Sequence, residues 1–312
     1  MLFSWLRRQF RRSDTRLNDF KPVIMVTGCG SGLGFALAEL LYASNKYRLV
    51  ITARSRSLKK LKERFPESDF LMIRELNVSI EKQRKNLVEE VERLWGCVDI
   101  LINNAGISYR AVVEHMTDED EFLQMQTNYL GPLGLTRLVL PKMREKGRGK
   151  IINVSSVSGM LAMPTMGAYS ASKYALEGAS EALWYEMKPL GINVSLIQPG
   201  FINSNSFKHV YYTPLSHPKR TIEGPYSDYY HHMTPFVEKM MRLSVATPEK
   251  IARCIFNVIK KQNPPLWVAA TPDALVFHLI RRILPRRWML PILFSFLPSA
   301  RSWGKAYTRK RL

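Results

Sequence analysis

From Pro22 to about Val268, short apolar runs alternate with longer stretches in which apolar residues recur at helical spacing. A short apolar run suits a strand buried on both faces, and the stretches between such runs suit the connecting helices. Strands are predicted at Val23–Val26, Leu49–Thr52, Leu71–Arg74, Asp99–Ile102, Lys150–Val154, Asn193–Ile197 and Leu266–Ala269. Helices are predicted at Leu33–Ser44, Leu58–Phe65, Ile80–Trp95, Glu119–Met143, Tyr169–Lys188 and Pro248–Lys261. The alternation predicts an α/β fold, a doubly wound parallel sheet of about seven strands in a three-layer α/β/α arrangement.

Both ends of the chain differ from this core because they combine positive charge with large apolar side chains. Residues 1–16 carry five arginines and one acidic residue, and residues 273–312 carry nine basic residues and one acidic residue, within a net charge of +20. Arginine among Trp, Phe and Leu is typical of helices that lie at a membrane surface. We expect a basic amphipathic segment over 1–20, one domain over 21–270, and a basic apolar tail over 271–312 that anchors the chain to an anionic membrane surface.

The same features bear on compartment and partners. Arg7 and Arg8 interrupt the first apolar stretch too early for a secretory signal, and the uncharged stretch Trp288–Ala300 is too short to span a bilayer. The three cysteines are widely spaced and indicate neither a disulfide framework nor a metal-ligand cluster, so no metal is expected. Only charge favours nucleic acid, which is not expected as a partner. The predicted setting is cytosol-facing and peripherally membrane-associated, not secreted.

A glycine-rich turn separates the first predicted strand from the first predicted helix. Glycines let the backbone approach a pyrophosphate, and the following helix N-terminus favours negative charge. Although tight turns use glycine for other reasons as well, the absence of a following Lys-Ser or Lys-Thr pair excludes a P-loop. The candidate cofactor-binding residues are Thr27, Gly28, Gly30, Ser31, Gly32, Leu33 and Gly34.

The end of the second strand bears on the choice of cofactor. NAD sites usually carry an acidic residue here, whereas the 2′-phosphate of NADP needs a cation. Ala53 and Arg54 occupy these positions. Arg54 therefore favours NADP(H), with NAD(H) as the alternative if this arginine is only a solvated surface residue.

Three residues further along the chain carry acid–base chemistry. Ser156 follows the strand Lys150–Val154, and Tyr169 and Lys173 are four residues apart, so a helix presents them on one face. A phenol has an unperturbed pKa of about 10, and a neighbouring ammonium lowers it. A serine hydroxyl can hydrogen-bond the oxygen of a substrate. Tyr-x-x-x-Lys alone also fits an ordinary helix surface, but its order after the preceding motifs favours catalysis.

Together these residues resemble the short-chain dehydrogenase/reductase family in its one-domain form, a Rossmann-type fold, over roughly residues 22–270. The resemblance implies that Tyr169 is the acid and base, that Lys173 holds the nicotinamide ribose and lowers the tyrosine pKa, and that Ser156 orients the substrate oxygen. It implies that Asn128 holds a water in a proton relay to Lys173. It also implies a homodimer or tetramer through the helix that carries Tyr169.

The resemblance adds further cofactor contacts. Asn104, in the segment Asn103–Gly106, lines the adenosine side together with Ala105 and Gly106, and Pro199, Gly200 and Ile202 lie in a loop beside the nicotinamide. Two positions depart from the family pattern. Asn77 before Val78 replaces a frequent aspartate that contacts adenine, and Ser204 replaces a frequent threonine.

The sequence thus predicts an NADP(H)-dependent oxidoreductase that interconverts a lipophilic alcohol and its carbonyl, such as a retinoid, a steroid or a long-chain lipid. Residues 201–245, rich in Tyr, His, Pro and Ser, are the predicted substrate loop. The alternative is a non-catalytic NADP(H)-sensing scaffold at a membrane surface, which the basic ends favour and the complete Ser156, Tyr169 and Lys173 set opposes.

Overall fold

A computed structural model describes residues 21–305, apart from the side chains of Ser206, Lys208 and Arg286. Its centre is a sheet of seven parallel strands in the order β3-β2-β1-β4-β5-β6-β7. The strands are β1 (Val23–Val26), β2 (Arg48–Ala53), β3 (Leu71–Glu75), β4 (Ile100–Asn103), β5 (Gly149–Val154), β6 (Ile192–Gln198) and β7 (Trp267–Ala269). The predicted strands are confirmed, with ends that differ by at most one residue.

Ten helices of eight or more residues lie in the described part of the chain. They are α1 (Gly32–Ser44), α2 (Ser55–Arg64), α3 (Glu81–Trp95), α4 (Asp118–Met125), α5 (Gly131–Glu145), α6 (Gly167–Met187), α7 (Ser227–Leu243), α8 (Pro248–Lys260), α9 (Pro272–Ile283) and α10 (Arg286–Phe296). Within residues 21–305, none of these helices combines the length and the apolar character that a membrane crossing requires.

Both faces of the sheet are buried, as continuous apolar strands require. Alternate residues of β1 point to opposite faces, so Ile24 and Val26 join one apolar cluster while Val23 and Met25 join the other. The first cluster packs against α1, α2 and α8, and the second against α3, α5 and α6. This confirms the three-layer, doubly wound architecture in one domain.

Strands β2 and β4 lie on opposite sides of β1, so the direction in which strands are added to the sheet reverses at β1. In an open parallel sheet, a crevice forms beyond the carboxyl ends of the strands at such a point, and ligands bind there. The glycine-rich turn follows β1 and the segment Asn103–Gly106 includes the end of β4. The fold therefore brings these two segments together at the mouth of the crevice.

The predicted helix Glu119–Met143 is not continuous. A π-helical segment, Gln126–Leu130, separates α4 from α5. Such segments add one residue to a helical turn and are frequent at functional sites. Asn128 lies in the middle of this segment and is 1% exposed, so the widened turn directs its amide into the protein.

The substrate loop and the tail contain more helix than the sequence analysis predicted. A short 3-10 segment, Asn205–His209, and α7 occupy much of residues 201–245, and α9 and α10 occupy much of residues 271–305. The predicted amphipathic segment over 1–20 and the last seven residues of the tail lie outside the described residues.

Candidate active site

The loop after β1 and the loop after β4 are tied together by one threonine and one asparagine. The buried Thr27 hydroxyl accepts hydrogen bonds from the backbone N–H groups of Asn104 and Ala105, each at 3.0 Å. The Asn104 side chain donates in return to the carbonyl oxygens of Thr27 at 2.9 Å and Gly28 at 3.1 Å. Thr27 and Asn104 thus set the floor of the crevice at the switch point.

The glycines of this loop serve two different purposes. A side chain at Gly28 would meet the Ala105 backbone, and one at Gly34 would overlap the Gly28 carbonyl, so these glycines allow the two loops to pack. Gly32 is different, because it has φ +57° and nothing within 4 Å of its would-be Cβ. Open space in front of a glycine at the start of α1, where backbone N–H groups are unpaired, fits the pyrophosphate of a dinucleotide.

Most of the other predicted cofactor residues line the candidate site, whereas two do not. Ser31, Gly32, Leu33, Asn104, Gly106, Pro199, Gly200 and Ile202 line one large cavity. Asn77 and Val78 do not line this cavity; the Asn77 side-chain oxygen accepts hydrogen bonds from the Ser79 backbone N–H at 3.2 Å and the Ser79 hydroxyl at 2.8 Å, and Val78 is buried in the core. The amide nitrogen of Asn77 remains as the group that could donate to a base.

Arg54 stands at the end of β2, and its side chain is exposed. Its guanidinium donates a hydrogen bond of 2.9 Å to the phenol of Tyr211, which belongs to the substrate loop. The Tyr211 ring in turn lies 5.3 Å from the Tyr109 ring, centroid to centroid. The predicted phosphate-binding cation therefore also contacts the predicted substrate loop.

Ser156, Tyr169 and Lys173 converge on the same cavity, which has a volume of about 1000 Å³. Ser156 follows β5 and its hydroxyl accepts from the Ser158 backbone N–H at 3.1 Å, which caps a short turn. Tyr169 and Lys173 lie one turn apart on α6. The Lys173 ammonium donates to the Val154 carbonyl oxygen at 2.8 Å and lies 5.8 Å from the Tyr169 ring centroid.

Burial governs the protonation of this group. It lowers the pKa of Lys173 to about 8, while the nearby Glu177 carboxylate acts in the opposite direction. Burial also raises the pKa of Tyr169 above its ordinary value; the hydrogen bond with Ser156 and the charge of Arg110 oppose that rise. The lowering of the Tyr169 pKa by Lys173 that the resemblance implies is not the net effect here, because desolvation of the phenol outweighs the nearby charges.

Asn128 forms the back wall behind the crevice rather than its lining. Its side-chain oxygen accepts from the Ile107 N–H at 2.9 Å, and its amide donates to the Ile107 carbonyl at 2.9 Å and the Ser172 hydroxyl at 3.0 Å. These bonds connect the π-helical segment, the loop after β4 and the helix α6. Asn128 thereby holds in register the elements that carry Gly106 and Lys173.

This region also contains a carboxylate, that of Glu177, which was not among the predicted site residues. Glu177 lies one turn after Lys173 on α6, is 7% exposed, and accepts hydrogen bonds from the Ser155 hydroxyl at 2.6 Å and the Gln198 amide at 2.8 Å. The sequence spacing does place Glu177 on the same helix face, because Tyr169, Lys173 and Glu177 follow one another at intervals of four residues. Its burial was not readable from that spacing.

The loop Pro199–Ile202 is held by the beginning of the tail. The Gly200 N–H donates to the Thr271 hydroxyl at 2.9 Å, and the Phe201 N–H donates to the Asp273 carboxylate at 2.8 Å. Thr271 also caps α9 by accepting from the Ala274 N–H at 3.3 Å. The first residues of the tail therefore help to shape the candidate site.

Comparison with known proteins matches the fold and the motifs. The model of the short chain dehydrogenase family matches residues 22–213. A 3-ketodihydrosphingosine reductase of Bacteroides thetaiotaomicron is 33% identical over 252 residues, which are 80% of this chain and 88% of the relative. The dehydrogenase/reductase SDR family member 7B of Xenopus laevis is 31% identical over 290 residues, 90% of this chain and 81% of the relative.

A solved structure shows the same architecture. The crystal structure of a short-chain dehydrogenase from Streptomyces avermitilis superposes with a TM-score of 0.71 at 31% sequence identity, covering 83% of this chain and 93% of that one. The family match spans more than half of the chain and includes the loop after β1, the segment after β4, Ser156 and the pair on α6. The chain therefore belongs to the short-chain dehydrogenase/reductase family and is an NAD(P)-dependent oxidoreductase that acts on CH–OH groups.

Proposed function

We propose that this chain uses NADP(H) to interconvert a lipophilic alcohol and its carbonyl, with Tyr169 as acid and base. The observation that carries the proposal is the convergence of Ser156, Tyr169 and Lys173 on one cavity that is also lined by large apolar side chains. These apolar residues are Met163, Met166, Phe201, Ile202, Phe207, Val210, Val237 and Met241. A retinoid, a steroid or a long-chain lipid suits such a lining, and the similarity to a 3-ketodihydrosphingosine reductase supports a long-chain ketone.

When bound, the nicotinamide supplies the hydride to the carbonyl carbon or takes it from the alcohol. The protein handles the proton. Ser156 donates a hydrogen bond to the substrate oxygen, and Tyr169 delivers its phenolic proton to the same oxygen in the reductive direction. Because the pKa of Tyr169 lies above its ordinary value of about 10, the phenol carries its proton at neutral pH and can deliver it to the substrate oxygen.

Lys173 has hydrogen-bonding capacity left for the cofactor. An ammonium has three N–H groups, and one of them is used on the Val154 carbonyl oxygen. The other two suit the ribose hydroxyls of the nicotinamide half. Asn128, which holds α6 to the loop after β4, acts as a positioning residue for Lys173 and for the water of the proton relay.

Arg54 supports NADP(H) over NAD(H) because it places a cation, and Ala53 places no carboxylate, at the end of β2. Its present partner is the neutral phenol of Tyr211. A 2′-phosphate, as a dianion, is the stronger acceptor for a guanidinium. We expect the phosphate to take at least one donor of Arg54 when NADPH binds.

The C-terminal helices support a membrane surface as the working environment. On α9 and α10, Leu275, Val276, Leu279, Ile283, Trp288, Leu290 and Phe296 are each at least half exposed. Arg281, Arg282 and Arg287 lie on the same two helices. Apolar side chains that insert between acyl chains, beside arginines that meet anionic headgroups, are typical of an interfacial helix pair.

The activity is tested by following nicotinamide absorbance with NADPH and with NADH against long-chain ketones, retinals and ketosteroids. We expect turnover with at least one lipophilic class, faster with NADPH, and a loss of roughly 1000-fold in Tyr169→Phe with NADPH affinity retained. Equal rates in Tyr169→Phe and the unaltered chain would contradict the acid–base role and favour the scaffold alternative. NADPH binding without turnover on any of the three classes would contradict the substrate proposal.

The membrane surface is tested by flotation with vesicles that contain anionic phospholipid. Leu279→Glu with Ile283→Glu should reduce flotation, whereas Ile222→Glu, which alters a similarly exposed residue at 76% outside the two helices, should not. Equal flotation of both variants would show that α9 and α10 do not contact the bilayer.

A further inference from the structure

Arg110 lines the cavity next to the predicted substrate loop and is held there by its backbone. Its N–H donates to the Tyr211 carbonyl oxygen at 2.9 Å, and the next N–H, that of Ala111, donates to the Thr165 carbonyl oxygen at 2.9 Å. Tyr211 belongs to the substrate loop, and Thr165 precedes the helix that carries Tyr169. Arg110 is thus fixed between two walls of the cavity and lines it.

The guanidinium of Arg110 has no anionic partner among the described side chains. Its Nε is buried without a hydrogen-bond partner, and its guanidinium carbon lies 5.6 Å from the Phe207 ring centroid. Two acidic residues line the same cavity, but Glu39 pairs with Arg64 at 2.8 Å and Glu249 is bonded near its own helix N-terminus. No described carboxylate lies within ion-pair distance of Arg110.

Arg110 is only partly exposed, and a partly desolvated cation without a counter-ion is unfavourable, so proteins rarely keep one without a use. Desolvation lowers the pKa of Arg110, and the phenols of Tyr169 and Tyr212 act in the opposite direction. The positive charge of Arg110 acts on Tyr169, because it opposes the rise in the pKa of that phenol. Because Arg110 and Tyr169 line the same cavity, an acidic group beside a substrate carbonyl at Tyr169 would come close to the Arg110 guanidinium.

We propose that Arg110 binds an acidic group of the substrate, a carboxylate or a phosphate monoester close to the reacting carbonyl. This inference rests on the proposed function and narrows its substrate class to lipophilic ketones or alcohols that carry such a group. The planar guanidinium offers paired N–H donors that match the two oxygens of a carboxylate or phosphate. The acidic group supplies the partner that Arg110 lacks, while the apolar residues of the cavity take the chain.

The alternative role for Arg110 is that its charge only adjusts the pKa of Tyr169. That role would affect every substrate alike and would shift the pH profile. Recognition of an acidic group affects only substrates that have one. A comparison of acidic and neutral substrates in the same variant therefore separates the two.

The first arm of the test measures turnover of long-chain ketones that have equal chain length and carry a carboxylate, a phosphate monoester or a neutral hydroxyl near the carbonyl. We expect Arg110→Met to lower kcat/KM roughly 100-fold for the acidic ketone that is used best, mainly through KM, and less than about 3-fold for the neutral one. Arg110→Lys should recover part of the loss, and Arg93→Met, which removes an exposed arginine on α3, should change neither.

The second arm does not depend on turnover. Binding of dodecyl phosphate, laurate and dodecanol to the NADPH-loaded protein is measured by titration calorimetry in the unaltered chain, Arg110→Met and Arg110→Lys. We expect one or both acids to bind more tightly than the alcohol, with the difference lost in Arg110→Met; which acid binds better identifies the head group. Thermal unfolding of each variant checks that the fold is retained.

Two results would overturn the inference: equal binding of the acids and the alcohol to the unaltered chain, or equal losses for acidic and neutral ketones in Arg110→Met. If the chain turns over none of the ketones but binds the acids through Arg110, the proposed reaction fails and the anion site stands. If it turns over neutral ketones and shows no preference for acids, the reaction stands and the anion site fails.

Discussion

We predict that Lys173, at the proposed active site, carries a stability penalty that unfolding experiments can measure. Its side chain is 5% exposed, and burial lowers its pKa from 10.5 to about 8. Because an unfolded lysine binds its proton more tightly than this folded one, protonation favours the unfolded chain. The difference between 10.5 and about 8 corresponds to about 3 kcal/mol at neutral pH.

The penalty has a defined pH window. The penalty is fully present below about pH 8, and it decreases as the pH rises toward 10.5, where the unfolded lysine also loses its proton. We predict that Lys173→Met, which cannot be charged, unfolds at higher urea concentration than the unaltered chain at about pH 7. The stability advantage of the variant should shrink by about 2 kcal/mol between about pH 7 and about pH 9.5, although turnover is lost throughout.

The assay is urea unfolding at several pH values without cofactor, followed by tryptophan fluorescence and circular dichroism. The Lys82→Met variant, which removes an exposed lysine on α3, serves as the matched control. The pH-dependent part of the difference is the quantity to read, because the variant also loses the bond to the Val154 carbonyl. A difference between variant and unaltered chain that stays constant across this range would refute the reasoning.

Three further predictions follow from other contacts. Glu177→Gln keeps an acceptor for its hydrogen bonds but removes the negative charge that raises the pKa of Lys173. The alkaline limb of the pH–activity profile should therefore move to lower pH, and an unmoved limb would contradict this coupling. Gly32→Ala should weaken NADPH binding and destabilise folding only by the roughly 1 kcal/mol that alanine costs at a positive φ, because the space around it is open. Gly34→Ala should destabilise folding more, because its Cβ would overlap the Gly28 carbonyl oxygen, as unfolding and cofactor titrations would show. Arg54→Glu should lower kcat/KM with NADPH roughly 10- to 100-fold and spare NADH; equal losses with both would count against a 2′-phosphate contact.

Helix α6 shows how much of the candidate site can be predicted from local sequence. Tyr169 and Lys173 are four residues apart, and helical periodicity alone puts them on one face. The same spacing extended to Glu177, yet nothing local shows that this carboxylate is buried behind Lys173, since its partners, Ser155 and Gln198, lie 22 and 21 residues away. Burial and pairing across such distances depend on how the strands are ordered.

The strand and helix alternation, the glycine turn and the spacing of Tyr169 and Lys173 can all be predicted from the sequence, because each depends on residues that are near neighbours in the chain. The folded chain, in contrast, determines which charges meet. It brought Arg54 to Tyr211 across 157 residues, left Arg110 without a carboxylate partner among residues 21–305, and made desolvation the main influence on the pKa of Tyr169. Desolvation and charge pairing depend on the whole folded environment, which no local pattern encodes.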